Sequence, residues 1–272
     1  MGNKTMRKFK SVGGRVKLRL PQRPNILILK YKHIGIEMVR CPAGSFMMGS
    51  PECELGRKDN EVHHQITINH LFYIGRYPVT QKLYRAVMGE NPSCFKGKNN
   101  PVEQINWFEA KEFCNKLNKN AKNIPKGYKF DLPSEAQWEY ACRAGTTTAL
   151  NNDKVLTTLD GVCPNLNEIA WYRTNSNNKT HPVGLKKSNV WGIFDMLGNV
   201  FELCDDYWND DYSSKSYVNL VRSTDDLVSF HAMRGGCARA VIYCRSAMRS
   251  PFLSWFKAKI IGFRVALVPI NE

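Results

Sequence analysis

The sequence predicts an α+β domain of few short helices, several short strands and much ordered loop. Helical spacing of apolar residues is confined to two or three stretches, two of them opened by a capping residue. The alternating stretches are equally short, and polar connections rich in Asn and Thr lie between them, chiefly over 146–189 and 205–230. Six Trp, eleven Tyr and thirteen Phe can supply a substantial core. A domain with so much loop needs fixing by buried hydrogen bonds, ions or tryptophan packing.

Residues 1–34 read as a basic N-terminal extension, with a strand pattern at Asn25 to Tyr31, and the domain proper is expected over 35–272. Ile36 to Arg40 can form a strand. Pro42-Ala43-Gly44 then turns the chain back into Ser45 to Gly49 as the second arm of a hairpin. Gln65 to Asn69 alternates, and Phe72-Tyr73-Ile74 continues as strand. Thr80 caps a first helix with Leu83, Tyr84, Val87 and Met88 at helical spacing. Trp107 to Leu117 is a second helix, with Trp107, Ala110, Phe113, Cys114 and Leu117 on one stripe. Ser134 caps a third helix that runs through Cys142, acids suit its positive end, and Gly145 stops it. Leu197 to Leu203 alternates and reads as a core strand. Trp138 and Trp191 are expected to be buried.

Bulk properties narrow the function classes. At 272 residues, with 43% hydrophobic and 23% charged residues, the chain has an ordinary globular composition. No apolar run reaches membrane-spanning length. The start shows no basic residues followed by an apolar stretch and a cleavage site, so no secretion signal is expected in the chain as given. The net charge is +15, and the excess is concentrated near the front. No aromatic platform or nucleic-acid motif accompanies it, which favours a solvated extension over a nucleic-acid arm. Nine cysteines lie at scattered spacings with no CxxC pair, against both a disulfide framework and a zinc site.

Near the end, Arg234 to Arg264 departs from both regular patterns. Arg234-Gly235-Gly236 permits a tight turn, and Gly262 to Leu267 reads as a closing strand with Phe263, Val265 and Leu267 on one face. Between them Phe252, Leu253, Trp255 and Phe256 crowd behind Pro251, interrupted by Lys257 and Lys259, with no clean period. Such a stretch is either a loop over a core or an exposed binding surface, because aromatic and basic residues anchor interfaces.

The chain carries an ordered series of landmarks. They are Pro42-Ala43-Gly44-Ser45-Phe46-Met47-Met48-Gly49-Ser50, Asn60-Glu61 with His64, and Tyr77-Pro78-Val79-Thr80-Gln81. Asn100-Pro101-Val102-Glu103 follows, then the most specific block, Leu132-Pro133-Ser134-Glu135-Ala136-Gln137-Trp138-Glu139-Tyr140-Ala141. Met196-Leu197-Gly198-Asn199-Val200-Phe201-Glu202 and Gly262-Phe263-Arg264 complete the series. Together they resemble the sulfatase-modifying-factor family, whose founding activity is formylglycine generation. The resemblance implies a C-type-lectin-like fold of the formylglycine-generating-enzyme subtype. It also implies a catalytic cysteine pair in the family's enzymes, which use a thiolate in copper-dependent oxygen chemistry. If Arg249 aligns with the arginine that closes the enzyme motif, those positions fall near Ala240 and Val241, and neither holds a thiol.

A second resemblance is to the variable proteins of diversity-generating retroelements, which carry the same fold and rewrite the segment between Arg-Gly-Gly and Gly-Phe-Arg. Arg234 to Arg264 contains no Asn or Asp, although the rest of the chain is full of both. This resemblance implies a non-catalytic display protein with a variable region at about 234–264, its diversified part about 237–261, and an unknown protein or other macromolecular ligand. The expected contacts are Arg239, Val241, Ile242, Tyr243, Met248, Ser250, Phe252, Leu253, Trp255, Phe256, Lys257 and Lys259. Arg245, Arg249 and Arg264 are expected to point inward as frame. No cofactor and no metal site are assigned, a monomer is expected, and the resemblance implies a cell-surface location.

Two alternatives stay open. A copper-dependent formylglycine-generating-type oxidase acting on a cysteine substrate would use Cys237 and Cys244. Calcium could bind loops at Asn151 to Asp160 and Asp205 to Asp211, although no ordered ligand spacing is present there.

Overall fold

The computed structural model describes residues 25–210, 212, 229–238 and 240–270. Among the described residues, three sheets and four helices are arranged around two apolar clusters. The five-stranded sheet runs in the order β1 (Ile26–Tyr31), β2 (Ile34–Cys41), β5 (Phe72–Gly75), β11 (Ala266–Pro269), β6 (Tyr128–Asp131). The four-stranded sheet has the order β10 (Ile261–Gly262), β7 (Phe201–Tyr207), β8 (Phe230–Arg234), β9 (Arg249–Leu253). β3 (Gly44–Met48) and β4 (His64–Ile68) form a separate pair.

Two sequence expectations about strands are corrected. The pattern at Asn25 to Tyr31 is not part of an extension. β1 pairs with β2 from Ile26↔Val39 to Tyr31↔Ile34, and Leu29 and Tyr31 are buried in the same apolar cluster as Ile34, Ile36 and Met38 of β2. Residues 1–24 lie outside the described residues. Nor does β3 fold back on β2. It crosses to β4, and β2 takes β5 as its second neighbour, so Pro42-Ala43 is a bridge between sheets rather than a hairpin turn.

The helices follow their local signals. Thr80 caps α1 (Gln81–Met88), its Oγ1 accepting from Leu83 N at 3.3 Å. α2 (Trp107–Asn120) starts from a reciprocal capping box between Asn106 and Glu109, and α3 (Glu135–Arg143) from one between Ser134 and Gln137. The left-handed residues Ala144 and Gly145 end α3. A short α4 (Pro164–Asn167) punctuates the long connection before Asn189.

The strand read at Leu197 to Leu203 begins only at Phe201. Asp195, Gly198 and Asn199 all have positive φ (53°, 79° and 63°), which bends the chain away from an extended path. The closing strand is likewise split. β10 ends at Gly262, Phe263 to Val265 leave the ladder, and β11 resumes at Ala266, because Arg264 turns inward to a buried carboxylate. Trp138 is fully buried, whereas Trp191 is only half-buried and packs edge-on against Tyr140.

Candidate functional site

Four buried arginines hold the segment between β8 and β11. Arg234 closes β8 and reaches Glu135 Oε1 at 3.2 Å, Ser246 O at 2.9 Å and Glu139, under the ring of Trp138. Burial disfavours its charge, yet Glu139, Tyr212 and Glu135 more than offset this and hold its pKa above the usual value. Arg245 binds Glu61 and Glu54, with Nη1 at 2.8 Å and 2.7 Å from the two carboxylates. Arg249 donates from Nε and Nη2 to the two oxygens of Glu135, and its guanidinium lies 3.8 Å from the Tyr212 ring centre and 4.2 Å from that of Trp208. Arg264 binds Glu202 through Nε and Nη2 at 2.5 Å and 2.7 Å, and Trp138 Nε1 donates to the same carboxylate. Planar guanidinium forks suit such two-point pairs.

Between these anchors the backbone is tight. Gly235 and Gly236 have φ of 89° and 70°, and a Cβ on Gly236 would sit 2.4 Å from Tyr243 O. A 3-10 turn covers Val241–Tyr243. β9 pairs with β8 from Arg234↔Arg249 to Phe230↔Leu253. Beyond β9 the loop is stitched down by main-chain bonds: Ser254 N to Ser229 O, Trp107 N to Ser254 O, Gln104 N to Ala258 O and Phe201 N to Ile260 O. Its backbone is thereby fixed while several side chains face solvent.

The expected contacts separate into three groups. Trp255 and Phe256 are 50% and 49% exposed, with rings 6.3 Å apart, and Lys257 and Lys259 flank them. Lys257 pairs with Glu109 at 2.5 Å, and Lys259 lies over Phe95 at 5.7 Å. Ile242, Tyr243, Ser250 and Leu253 are half-buried. Tyr243 packs on Phe201 and carries Lys58 on its ring. Val241, Met248 and Phe252 are core residues, a correction to the expected surface, since each completes one of the two apolar clusters. Phe252 still touches the tip through Phe256, at 6.2 Å between ring centres. Arg239 lies outside the described residues.

Sequence reading missed three neighbours of this surface. Phe230, 47% exposed, lies opposite Leu253 on β8, and Phe95 and Lys58 come from distant loops. Phe230 falls at the end of the stretch read as a polar connection, and nothing local links Phe95 or Lys58 to a segment more than 130 residues away.

The two candidate thiols are buried with the frame. Cys244 Sγ lies 3.9 Å from Cys237 O, and burial, with Cys237 nearby, pushes its pKa well above the usual thiol value. A thiol so placed resists becoming the thiolate that metal binding requires. Among the described residues no three His, Cys, Asp or Glu side chains are grouped to hold a metal ion, and the loops considered for calcium form no such group there.

Short helices, small sheets and long pinned loops of this arrangement define a C-type-lectin-like fold of the formylglycine-generating-enzyme type. Residues 30–268 match the sulfatase-modifying factor enzyme 1-like domain, and the chain belongs to that family. The structure is similar to Treponema denticola variable protein 1, with a TM-score of 0.75 and 26% identity, covering 90% of this chain and all of that one. It is also similar to PvdO from Pseudomonas aeruginosa, with a TM-score of 0.74 and 28% identity over 90% and 99% of the two chains. In sequence it is 36% identical to the chaperone protein LppX of Paenibacillus barcinonensis over 49% of this chain and 61% of that one. It is 26% identical to the formylglycine-generating enzyme of Mus musculus over 70% of this chain and 50% of that one. The chain thus spans less than two thirds of the length of these two curated relatives. Among the described residues no helix is long and apolar enough to cross a membrane.

Proposed function

We propose that this chain is a non-catalytic display protein. It binds varied macromolecular partners through the surface carried between Arg234 and Arg264, and a retroelement diversifies that stretch. The observation that carries the reading is the contrast within the segment. Trp255 and Phe256 stand half in solvent on a loop whose backbone is hydrogen-bonded at both ends, while Arg234, Arg245, Arg249 and Arg264 are sealed in carboxylate pairs. Large apolar side chains flanked by lysines on a rigid support are what an interface anchor requires. The likeness to a protein titled a variable protein supports the same reading. The burial of Cys237 and Cys244, and the absence of a thiol at Ala240 and Val241, weaken the oxidase reading.

The test is to sequence the gene from several isolates of its source, together with any near-copy of the segment encoding residues 234–264. Differences should concentrate on Ile242, Trp255, Phe256, Lys257 and Lys259 and spare the four arginines and Gly235, Gly236 and Gly262. Differences spread evenly along the chain, with no near-copy, overturn the diversification. Turnover of a cysteine peptide with copper and oxygen, lost in Cys237→Ser or Cys244→Ser, overturns the non-catalytic reading.

A further inference from the structure

A depression of about 600 Å³ lies between α1, the turn joining β1 to β2, and the loop 91–98. Lys82, Arg85, Lys96, Lys98 and His33 line it, and no acidic side chain does. Lys82, Arg85, Lys96 and Lys98 are exposed, and among the described residues none of the four takes part in an ion pair.

The depression is also preformed. Buried Gln81 donates from Nε2 to Phe95 O at 2.8 Å and Pro101 O at 3.2 Å, and its Oε1 accepts from Asn91 Nδ2 and Gly97 N. Lys82 N donates to Lys98 O at 2.9 Å, and Lys96 Nζ to Asn91 O at 3.0 Å. One glutamine therefore pins the loop that brings two lysines to face the two cations of α1. Four like charges around one hollow repel one another, and an anion that enters relieves the repulsion, while the pinned loop keeps the two lysine positions opposite α1.

We infer that this hollow is a binding site for phosphate groups, carried by a soluble phosphate ester or by an anionic lipid headgroup. No described residue of the 234–264 segment lines it, although Lys259 lies over Phe95 of the same loop, and it does not depend on the display reading.

The experiment is calorimetric titration of the full chain with inorganic pyrophosphate, beside co-sedimentation with phosphatidylglycerol–phosphatidylcholine vesicles. Two variants of equal charge are compared, Lys82→Gln with Arg85→Gln in the hollow, and Lys126→Gln with Arg173→Gln outside it. Binding of at least one probe should weaken about tenfold or more in the hollow pair, because charge-assisted bonds are removed. It should change by less than about twofold in the outside pair. If the hollow pair fails to fold, Lys96→Gln with Lys98→Gln replaces it. Hollow-dependent binding of pyrophosphate alone assigns a soluble ester, and hollow-dependent binding of vesicles alone assigns a headgroup. Binding of neither probe, or equal loss in both pairs, overturns the site. So does a short DNA duplex that binds more tightly than either probe and is lost equally in both pairs.

Discussion

Arg249 and Glu135 face each other as a two-point ion pair, Nε to Oε1 at 2.7 Å and Nη2 to Oε2 at 2.8 Å, across 114 residues of sequence. The pair ties the start of β9 to the first turn of α3. Arg234 shares Glu135 Oε1 but also pairs with Glu139, so Glu135 is the main counter-charge of Arg249 and a second one for Arg234. Glu135→Gln leaves Arg249 without its paired carboxylate, while Arg234 keeps Glu139, and should cost roughly 3–5 kcal/mol, the usual result of breaking a buried pair from one side. Urea unfolding measures it, and a cost under about 1 kcal/mol, typical of exposed pairs, would show that water reaches the network.

The tip and the core beneath it should respond differently to the same change. Trp255→Ser, Phe256→Ser and Lys257→Ser alter exposed side chains and should each stay within about ±0.5 kcal/mol in thermal unfolding. Phe252→Ala empties a buried site one strand residue from the tip and should cost roughly 3–5 kcal/mol. Equal destabilisation by both sets means the tip is packed as core, and the display surface would have to be abandoned.

Glycine at the turn is a backbone requirement. Gly236→Ala places a Cβ 2.4 Å from Tyr243 O at a φ of 70°. The expected outcome is a lower melting temperature together with loss of the 3-10 turn at Val241–Tyr243, visible as amide exchange at Tyr243 and Cys244. By contrast, Gly89→Ala has no atom within 4 Å of the new Cβ and meets only the penalty of its own φ of 93°. It should therefore be milder, at about 1 kcal/mol or slightly more.

Asp195 gives a pH signature. Burial, the largest influence, and nearby Glu202 raise its pKa against the Gly184 amide, Arg264 and Asn199, and the balance lies at about 6. A carboxyl with a raised folded-state pKa binds its proton more tightly when folded. Its penalty is absent below the unfolded value near 4 and fully developed above about 6. Wild-type stability relative to Asp195→Asn should therefore fall as pH rises from about 4 to 6 and level off beyond. A difference that is flat with pH, or that rises, contradicts this account.

The sequence by itself determined the local elements and the family. Thr80 and Ser134 sit where a helix must find partners for its first amides, and the apolar stripe from Trp107 to Leu117 marks the other long helix, so the three main helices were readable from a few neighbouring residues; the Asn106 cap came only with the structure. The class was readable because short elements and long polar connections are a matter of pattern. Tertiary structure decided which strand met which. Nothing near Pro42 says that β3 will choose β4, because pairing partners are set by sheet packing and not by the turn. It also decided which members of the 234–264 stretch are surface. Phe252 and Phe256 are alike as sequence, yet one faces the apolar cluster beneath β9 and the other faces water. That difference arises from the main-chain bonds of Ser254, Ala258 and Ile260 to distant residues, which orient the loop in ways no local period encodes. The hollow at Lys82, Arg85, Lys96 and Lys98 belongs to the same category. Its charges are ordinary in sequence and become a site only when Gln81 draws the loop onto α1.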